Sequence, residues 1–479
     1  MKILTSGFLC LFLLTACLPE KDSTPEPKKQ VEVQKEQLGT QETNTQQDDE
    51  RILDIQEVTS AQGVKAWLVE DHNLPIIALH FSFRHVGAAQ DNKDKQGLAR
   101  LLSNTMDEGA GDLPSQEFQK TLSDNSISLF FSSGRDNFGG TLKTLSRNKD
   151  TAFNLLKLAL TEPRFDAEPV ERMKQANISR IQSSKGNPDW INARLFNDVA
   201  FTDHPYALNS GGTLSTLKNI TTDDLKQRHK TSIRKDNLVI GVAGDITPNE
   251  LKTLLDNIFG DLPNAPLDNS TKELTLQNQG KTYLYKKDIP QTIITASLPS
   301  IKETDPDYYA LRLLNFIYGG GGFGSRLMEE AREKRGLTYG IYSSLQNQDY
   351  INLLTVSTST KSKSVQEMMG IIKHEMDTIK NTTVSEETLQ NAKSYMTGSM
   401  PLGLTSTDKI ASVLLSLQLN ERSLNYLDEL KNNINKVTTD DLTRVAKRVL
   451  DPSKLLTVMV GQPKNIENAI ELKELPNVE

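Results

Sequence analysis

The sequence predicts an α+β protein made of two homologous domains, each a mainly antiparallel sheet covered by helices. An internal repeat is the first observation behind this. Thr221-Thr222-Asp223-Asp224-Leu225 recurs as Thr438-Thr439-Asp440-Asp441-Leu442, and at the same offset, without gaps, the apolar run Leu238…Gly244 meets Leu455…Gly461. A helix cap, a helix, an apolar strand and a terminal glycine thus recur together, as a duplicated supersecondary unit requires. The second observation is the order of strand-like and helix-like periods, which builds a sheet from both ends of a domain. The third is a change of composition near residue 55, from a polar segment without aromatic residues to a globular pattern.

Residues 1–17 read as a secretory signal: Lys2, the apolar run Phe8–Leu14, then Leu14-Thr15-Ala16-Cys17. That run is too short to span a bilayer. Leu-Thr-Ala-Cys resembles a bacterial lipobox, which makes Cys17 the expected lipidation site; Leu18 rather than Asp after it resembles the sorting rule for the outer membrane. Residues 18–55, dominated by Glu, Gln, Lys, Thr, Asp and Pro, are expected to stay disordered as a tether, since they bury too little apolar surface to offset ordering the backbone.

The globular pattern starts at Gln56. Val58–Val69 reads as a hairpin around Gln62-Gly63, followed by a strand over Leu74–Phe83 and a helix from Gly97. A helix near Ser115–Asn125 comes next, then strands at Ile127–Ser132 and Asn137–Leu145. Helices are expected at Lys149–Leu160, Ala167–Ser184 and Asp189–Ala200, the last with Pro188 at its start. Thr221 caps a further helix that leads into the strand Leu238–Ala243. The domains are therefore placed at 56–263 and 281–465, joined by a polar, proline-bearing linker over 264–280, with 466–479 as a C-terminal tail. The helix after Asp166-Ala167-Glu168 has its counterpart after Ser385-Glu386-Glu387.

Several function classes drop out on composition. Cys10 and Cys17 both lie within the signal, so thiol catalysis, disulfides and thiolate metal sites are not available to the mature chain. A net charge of −7 without a basic run gives no footprint for nucleic acid. The six histidines, His72, His80, His85, His204, His229 and His374, form no His-x-x-Glu-His or His-Glu-x-x-His pattern. His204, beside Pro205, reads as a structural turn residue. No Gly-x-Ser-x-Gly marks a serine hydrolase, and the run Gly319–Gly322 lacks the Gly-Lys-Ser/Thr of a phosphate loop. That run instead reads as a closely packed or flexible turn before a helix.

Two phrases carry the chemistry. Gly97-Leu98-Ala99-Arg100-Leu101-Leu102-Ser103-Asn104 follows a strand and a polar loop. Gly319-Gly320-Gly321-Gly322-Phe323-Gly324-Ser325-Arg326-Leu327 leads into Arg332-Glu333-Lys334-Arg335-Gly336-Leu337-Thr338-Tyr339. Together they resemble the pitrilysin/insulinase clan of zinc metallopeptidases, in its processing-peptidase-like branch. His204-Pro205-Tyr206 with Gly211-Gly212 matches another phrase of that family. The resemblance covers everything after the tether.

In that clan the first phrase reads Gly-Leu-Ala-His-x-x-Glu-His: two His bind zinc from adjacent turns and the Glu activates water. Here Arg100, Ser103 and Asn104 occupy those places, and the region expected to carry the third ligand, Arg172–Lys185, holds no carboxylate. Arg100 has no lone pair to donate, Ser103 is no base without a partner, and Asn104 offers only an amide oxygen. This chain is therefore expected to hold no catalytic zinc and to contribute no catalytic residue. Arg100 and Asn104 read as space-filling replacements.

The second phrase is intact. The resemblance implies that Arg332 and Tyr339 reach across a clamshell toward the substrate, donating hydrogen bonds to the scissile carbonyl as charge builds on its oxygen. It implies in turn a non-catalytic, substrate-binding subunit that forms half of a clamshell, paired with a zinc-bearing homologous peptidase subunit and acting on unfolded peptides. The chain would be lipid-anchored in a bacterial cell envelope, at the outer membrane facing the periplasm. A stand-alone structural or peptide-binding envelope lipoprotein is the alternative.

Overall fold

The computed structural model describes residues 51–264, 271–475 and 478–479. The signal, Cys17 and the tether up to residue 50 lie outside these residues, as does part of the expected linker.

The first half contains β1 (Gln56–Thr59), β2 (Lys65–Glu70), β3 (Ile76–Phe83), the two-residue pair β4 (Gly109–Ala110) and β5 (Leu113–Pro114), β6 (Ser128–Ser133), β7 (Phe138–Leu145) and β8 (Leu238–Gly244). Its helices are α1 (Leu98–Ser103), α2 (Ser115–Asp124), α3 (Lys149–Thr161), α4 (Ala167–Ser184), α5 (Pro188–Ala200), α6 (Leu214–Asn219), α7 (Thr222–Ser232) and α8 (Pro248–Phe259). The second half contains β9 (Thr282–Lys286), β10 (Gln291–Pro299), β11 (Ile341–Gln348), β12 (Ile351–Lys361), β13 (Leu456–Gly461) and β14 (Ile470–Leu472). Around them lie α9 (Tyr308–Asn315), α10 (Arg326–Met328), α11 (Val365–Asn381), α12 (Glu386–Gly398), α13 (Thr407–Leu419), α14 (Tyr426–Lys436) and α15 (Thr439–Val449).

Each half builds one six-stranded sheet. The strand orders, β6-β7-β3-β8-β2-β1 and β11-β12-β10-β13-β9-β14, superpose element for element except at the last strand. Pairings are antiparallel apart from β2 with β8, β13 with β9 and β14 with β9. The duplication is visible in detail. α7 and α15 start at Thr222 and Thr439, each behind a threonine whose hydroxyl accepts from the N–H three residues on and whose own N–H is met by an aspartate. Gly244 and Gly461 close the equivalent strands at φ +119° and +150°, where a Cβ on Gly244 would lie 2.0 Å from the Ile76 carbonyl oxygen.

The sheets are antiparallel in the main but buried on both faces, and the second cover comes from the other half. One face of the first sheet packs on α1, α3, α7 and α8 through Leu79, Phe81, Leu101, Leu156 and Leu255. Its opposite face, with Trp67, Val69, Ala78 and Ala243, is covered by Ile410, Ala411, Leu414 and Leu417 of α13. In return α5 lays Ile191, Leu195 and Phe196 on Leu456, Val458 and Val460 of the second sheet. Buried amides fix both seats: Asn192 donates to the Val458 carbonyl at 3.0 Å and Gln418 to the Ile240 carbonyl at 2.7 Å. Gly241 lets α13 approach, since a Cβ there would sit 2.5 Å from the Ala411 carbonyl oxygen.

Two expectations are corrected. Residues 51–55 are not part of a disordered tether: Ile55 is buried in the α13 cluster, Leu53 packs on it, and the Ile52 N–H donates to Asp428 at 3.0 Å. Local composition misses this because the surface that receives them lies far along the chain, the Ile52–Asp428 contact spanning 376 residues. Residues 466–479 are more than a tail. They supply β14 to the second sheet, and Val478 is buried in the core of the first half. Helix α8 was not expected, although Thr247, Pro248 and Glu250 form a capping box of the kind that marks a helix start.

Candidate functional site

Gly97 sits at φ +89°, and a Cβ there would come within 2.8 Å of the Gly212 Cα, so the loop at Gly211-Gly212 closes directly over the start of α1. The first turn is held by a buried carboxylate. Asp91 accepts from the N–H groups of Gly97 and Ala99, each at 3.1 Å, with the Arg228 guanidinium 3.6 Å away. Burial pushes the Asp91 carboxyl up to about 6, against the pull of Arg228 and of the Ala99, Gly97 and Leu98 amides.

Helix α1 then presents Arg100, Ser103 and Asn104. The Ser103 hydroxyl donates to the Arg100 carbonyl at 2.8 Å and is buried, so it is spent on the helix itself. Asn104 Nδ2 donates to Asn177 Oδ1 of α4 at 2.9 Å. Asn177 is thus the α4 residue that meets the end of α1. The sequence reading passed over it because it looked for a carboxylate, and only the contact between α1 and α4 singles it out. Arg100 and Arg180 line, with Asn177, Ser184, Trp190 and Asn209, a cavity of about 230 Å³. Arg100 borders this cavity, whereas Asn104 is turned to Asn177.

Zinc does not fit this donor set. Two guanidinium groups, two amides and a committed hydroxyl offer no imidazole, thiolate or carboxylate. Among the described residues, no three His, Cys, Asp or Glu side chains converge as a metal would require. His80 instead meets Asp408 of α13 at 3.0 Å, and His204 accepts from the Tyr206 N–H at 3.1 Å in its turn.

The second place lies in the other half. Close packing explains the glycine run: a Cβ on Gly319 would sit 2.8 Å from the Ser343 backbone nitrogen of β11. After it the chain forms α10 and a π-helical turn over Glu329–Glu333. Arg326 is tied to the buried Glu375 at 2.7 Å, and Lys334 to Glu330 at 2.6 Å, which fixes the turn on both sides of Arg332. The Arg332 guanidinium lies 4.5 Å over the Phe323 ring and 3.6 Å from Glu333. Tyr339 is 84% exposed and Phe323 65%, with Tyr342 also exposed nearby in sequence. Tyr339 is thus presented to solvent and Arg332 is half-exposed against Phe323, while Arg100, Ser103 and Asn104 are held in the first half. Among the described residues no hydrogen bond or ion pair joins the two groups, and the cavity at Arg100 is lined by neither Arg332 nor Tyr339.

The description "Insulinase (Peptidase family M16)" matches residues 82–213, and "Peptidase M16 inactive domain" matches residues 219–396. The chain is 27% identical over 417 residues to a "Non-peptidase homolog YmxG" of Helicobacter pylori, covering 86% of this chain and 95% of that protein. It is 24% identical over 394 residues to an "Uncharacterized zinc protease" of Streptomyces coelicolor, covering 78% and 83%. Among solved structures, a peptidase M16 inactive domain from Pseudomonas fluorescens superposes with a TM-score of 0.80 at 24% identity, covering 88% of this chain and all of that one.

Proposed function

The chain belongs to the insulinase family (peptidase family M16) as a non-catalytic member, and we propose that it is the substrate-binding subunit of a two-chain metallopeptidase. A zinc-bearing homologue would supply the metal ligands and the water-activating base. This chain's share is to form half of the peptide chamber and to present Arg332 and Tyr339. Each can donate to a scissile carbonyl as negative charge gathers on its oxygen, a contribution that strengthens only as the transition state forms.

One pairing of observations supports this reading. The places of the metal-binding phrase hold Arg100, Ser103 and Asn104, whereas Arg332 and Tyr339 keep their spacing, with Tyr339 exposed and Arg332 half-exposed where a second chain or a peptide can meet them. The alternative, a stand-alone peptide-binding or structural envelope protein, draws on the same exposed aromatic surface but gives no reason for the retained Arg–Tyr spacing.

The test is an assay of an unfolded peptide with this chain alone, with a His-x-x-Glu-His homologue alone, and with both. Cleavage should need both chains. Arg332→Ala should lower it about a hundredfold, in line with the loss of one oxyanion donor, and Tyr339→Phe should lower it without loosening the pair. Chelator-sensitive cleavage by this chain alone would sink the proposal.

The anchor is part of the same proposal. Lipid attachment at Cys17 would hold the pair at the outer membrane, facing the periplasm. In envelope fractionation, Cys17→Ser should move the chain from the membrane to the soluble fraction; an unchanged distribution would remove the lipid from the account.

A further inference from the structure

The polar atoms that line the inherited metal slot share one property: those left without a partner are all donors. Arg100 Nε, Asn177 Nδ2 and Asn209 Nδ2 are buried and make no hydrogen bond among the described residues. Asn177 is 3% exposed and Asn209 8%. Their amide orientations follow from their neighbours. Asn177 Oδ1 accepts from Asn104 Nδ2 at 2.9 Å, and Asn209 Oδ1 accepts from the Gly211 N–H at 3.1 Å. The Gly211 N–H can only donate, so the free end of Asn209 is an NH₂; in the Asn104–Asn177 pair the orientation that leaves the Asn177 NH₂ toward the cavity is the one that sets a donor beside Arg100.

The charges point the same way. Arg100 and Arg180 both line this cavity of about 230 Å³, and neither has a carboxylate within ion-pair distance among the described residues. Burial, and then the like charge of Arg180, disfavour the protonated Arg100. A half-buried guanidinium whose Nε is sealed from solvent, facing a second cation, with orphaned N–H groups beside it, is favoured by an acceptor of negative charge that joins them. Guanidinium forks and amide donors are also the groups that recognise carboxylate and phosphate oxygens.

We infer that the slot which in active relatives would hold a cation is here an oxyanion site, in which Arg100, Arg180, Asn177 and Asn209 bind a carboxylate or phosphate group. This goes beyond the paired-subunit reading and does not depend on it, because the site lies wholly within the first half and can be probed without a partner. A carboxylate would come from an acidic side chain or the C-terminal end of a bound peptide. A phosphate would come from a free or peptide-borne phosphoryl group.

The experiment titrates the full chain with acetate, inorganic phosphate and chloride at constant ionic strength, reading thermal midpoint and calorimetric heat. Acetate or phosphate should raise the midpoint saturably where chloride does not. Preference for acetate identifies the carboxylate source, and preference for phosphate the phosphoryl source. Arg100→Gln should weaken that binding at least about tenfold, the size of one charge-assisted contact, while Arg332→Ala leaves it intact. Without any oxyanion, Arg100→Gln should be at least as stable as the parent, since it removes a half-buried charge that has only the like charge of Arg180 beside it. Should Arg100→Gln fail to fold, Arg180→Gln serves in its place, because Arg180 is exposed and not needed for packing. Equal responses to all three anions, or a parent and variant that bind alike, would overturn the assignment.

Discussion

Single residues decide what the first half can do. Exchanging the ligand places for Arg100, Ser103 and Asn104 removes every group able to hold zinc, yet Gly97, Gly212 and the Asp91 cap keep the backbone of the motif in place. Asp91 also makes a pH-dependent contribution with a definite sign. Its folded value of about 6 lies above its ordinary 3.8, so the folded chain retains a proton that the unfolded chain releases. The contribution to stability is therefore fullest below 3.8, declines as pH rises to about 6, and is level above that. Relative to Asp91→Asn, the parent should lose stability between pH 4 and pH 6, by a few kcal/mol at most on the order-of-magnitude scale of such shifts. Urea midpoints of the two proteins across that range measure it; a constant difference would show that the carboxyl does not titrate there.

At the scale of elements, local chemistry and long-range packing divide the work. The capping boxes at Thr221 and Thr438, the proline at the start of α5 and the strand-closing Gly244 and Gly461 act within a few residues of themselves. That is why those elements were readable. Helix α1 is different, because six residues cannot hold a helix on propensity alone. It exists because Asp91 caps it and Leu101 and Leu102 enter the core. The π-helical turn that carries Arg332 is likewise set by the local Glu330–Lys334 pair on one side and, on the other, by the Arg326–Glu375 pair, which no local pattern reveals.

At the scale of the whole molecule, the exchange of α5 and α13 between halves makes residues 51–479 one compact unit. Neither sheet can cover its second face alone, so the halves should not unfold separately. Leu414→Ala, in α13 against the first sheet, removes a fully buried side chain and should cost about 2–5 kcal/mol. Both halves should still melt in a single transition, displaced to lower denaturant, when followed by Trp67 in one half and by a probe in the other. Two separated transitions would mean that the exchanged helices do not couple the sheets.

The sequence by itself determined the duplication, the α+β class, nearly every element of the first half and the absence of zinc ligands. All of these rest on short-range periodicity, capping chemistry and residue identity. Only the tertiary structure decided that residues 51–55 and the C-terminal segment are integral, that each sheet borrows a helix from the other half, and that Asn177 meets Asn104. It also decided that Arg100 and Arg180 border one cavity. These outcomes depend on surfaces brought together from distant parts of the chain, where hydrogen-bond partners and leftover space are set by packing, and no local pattern encodes them.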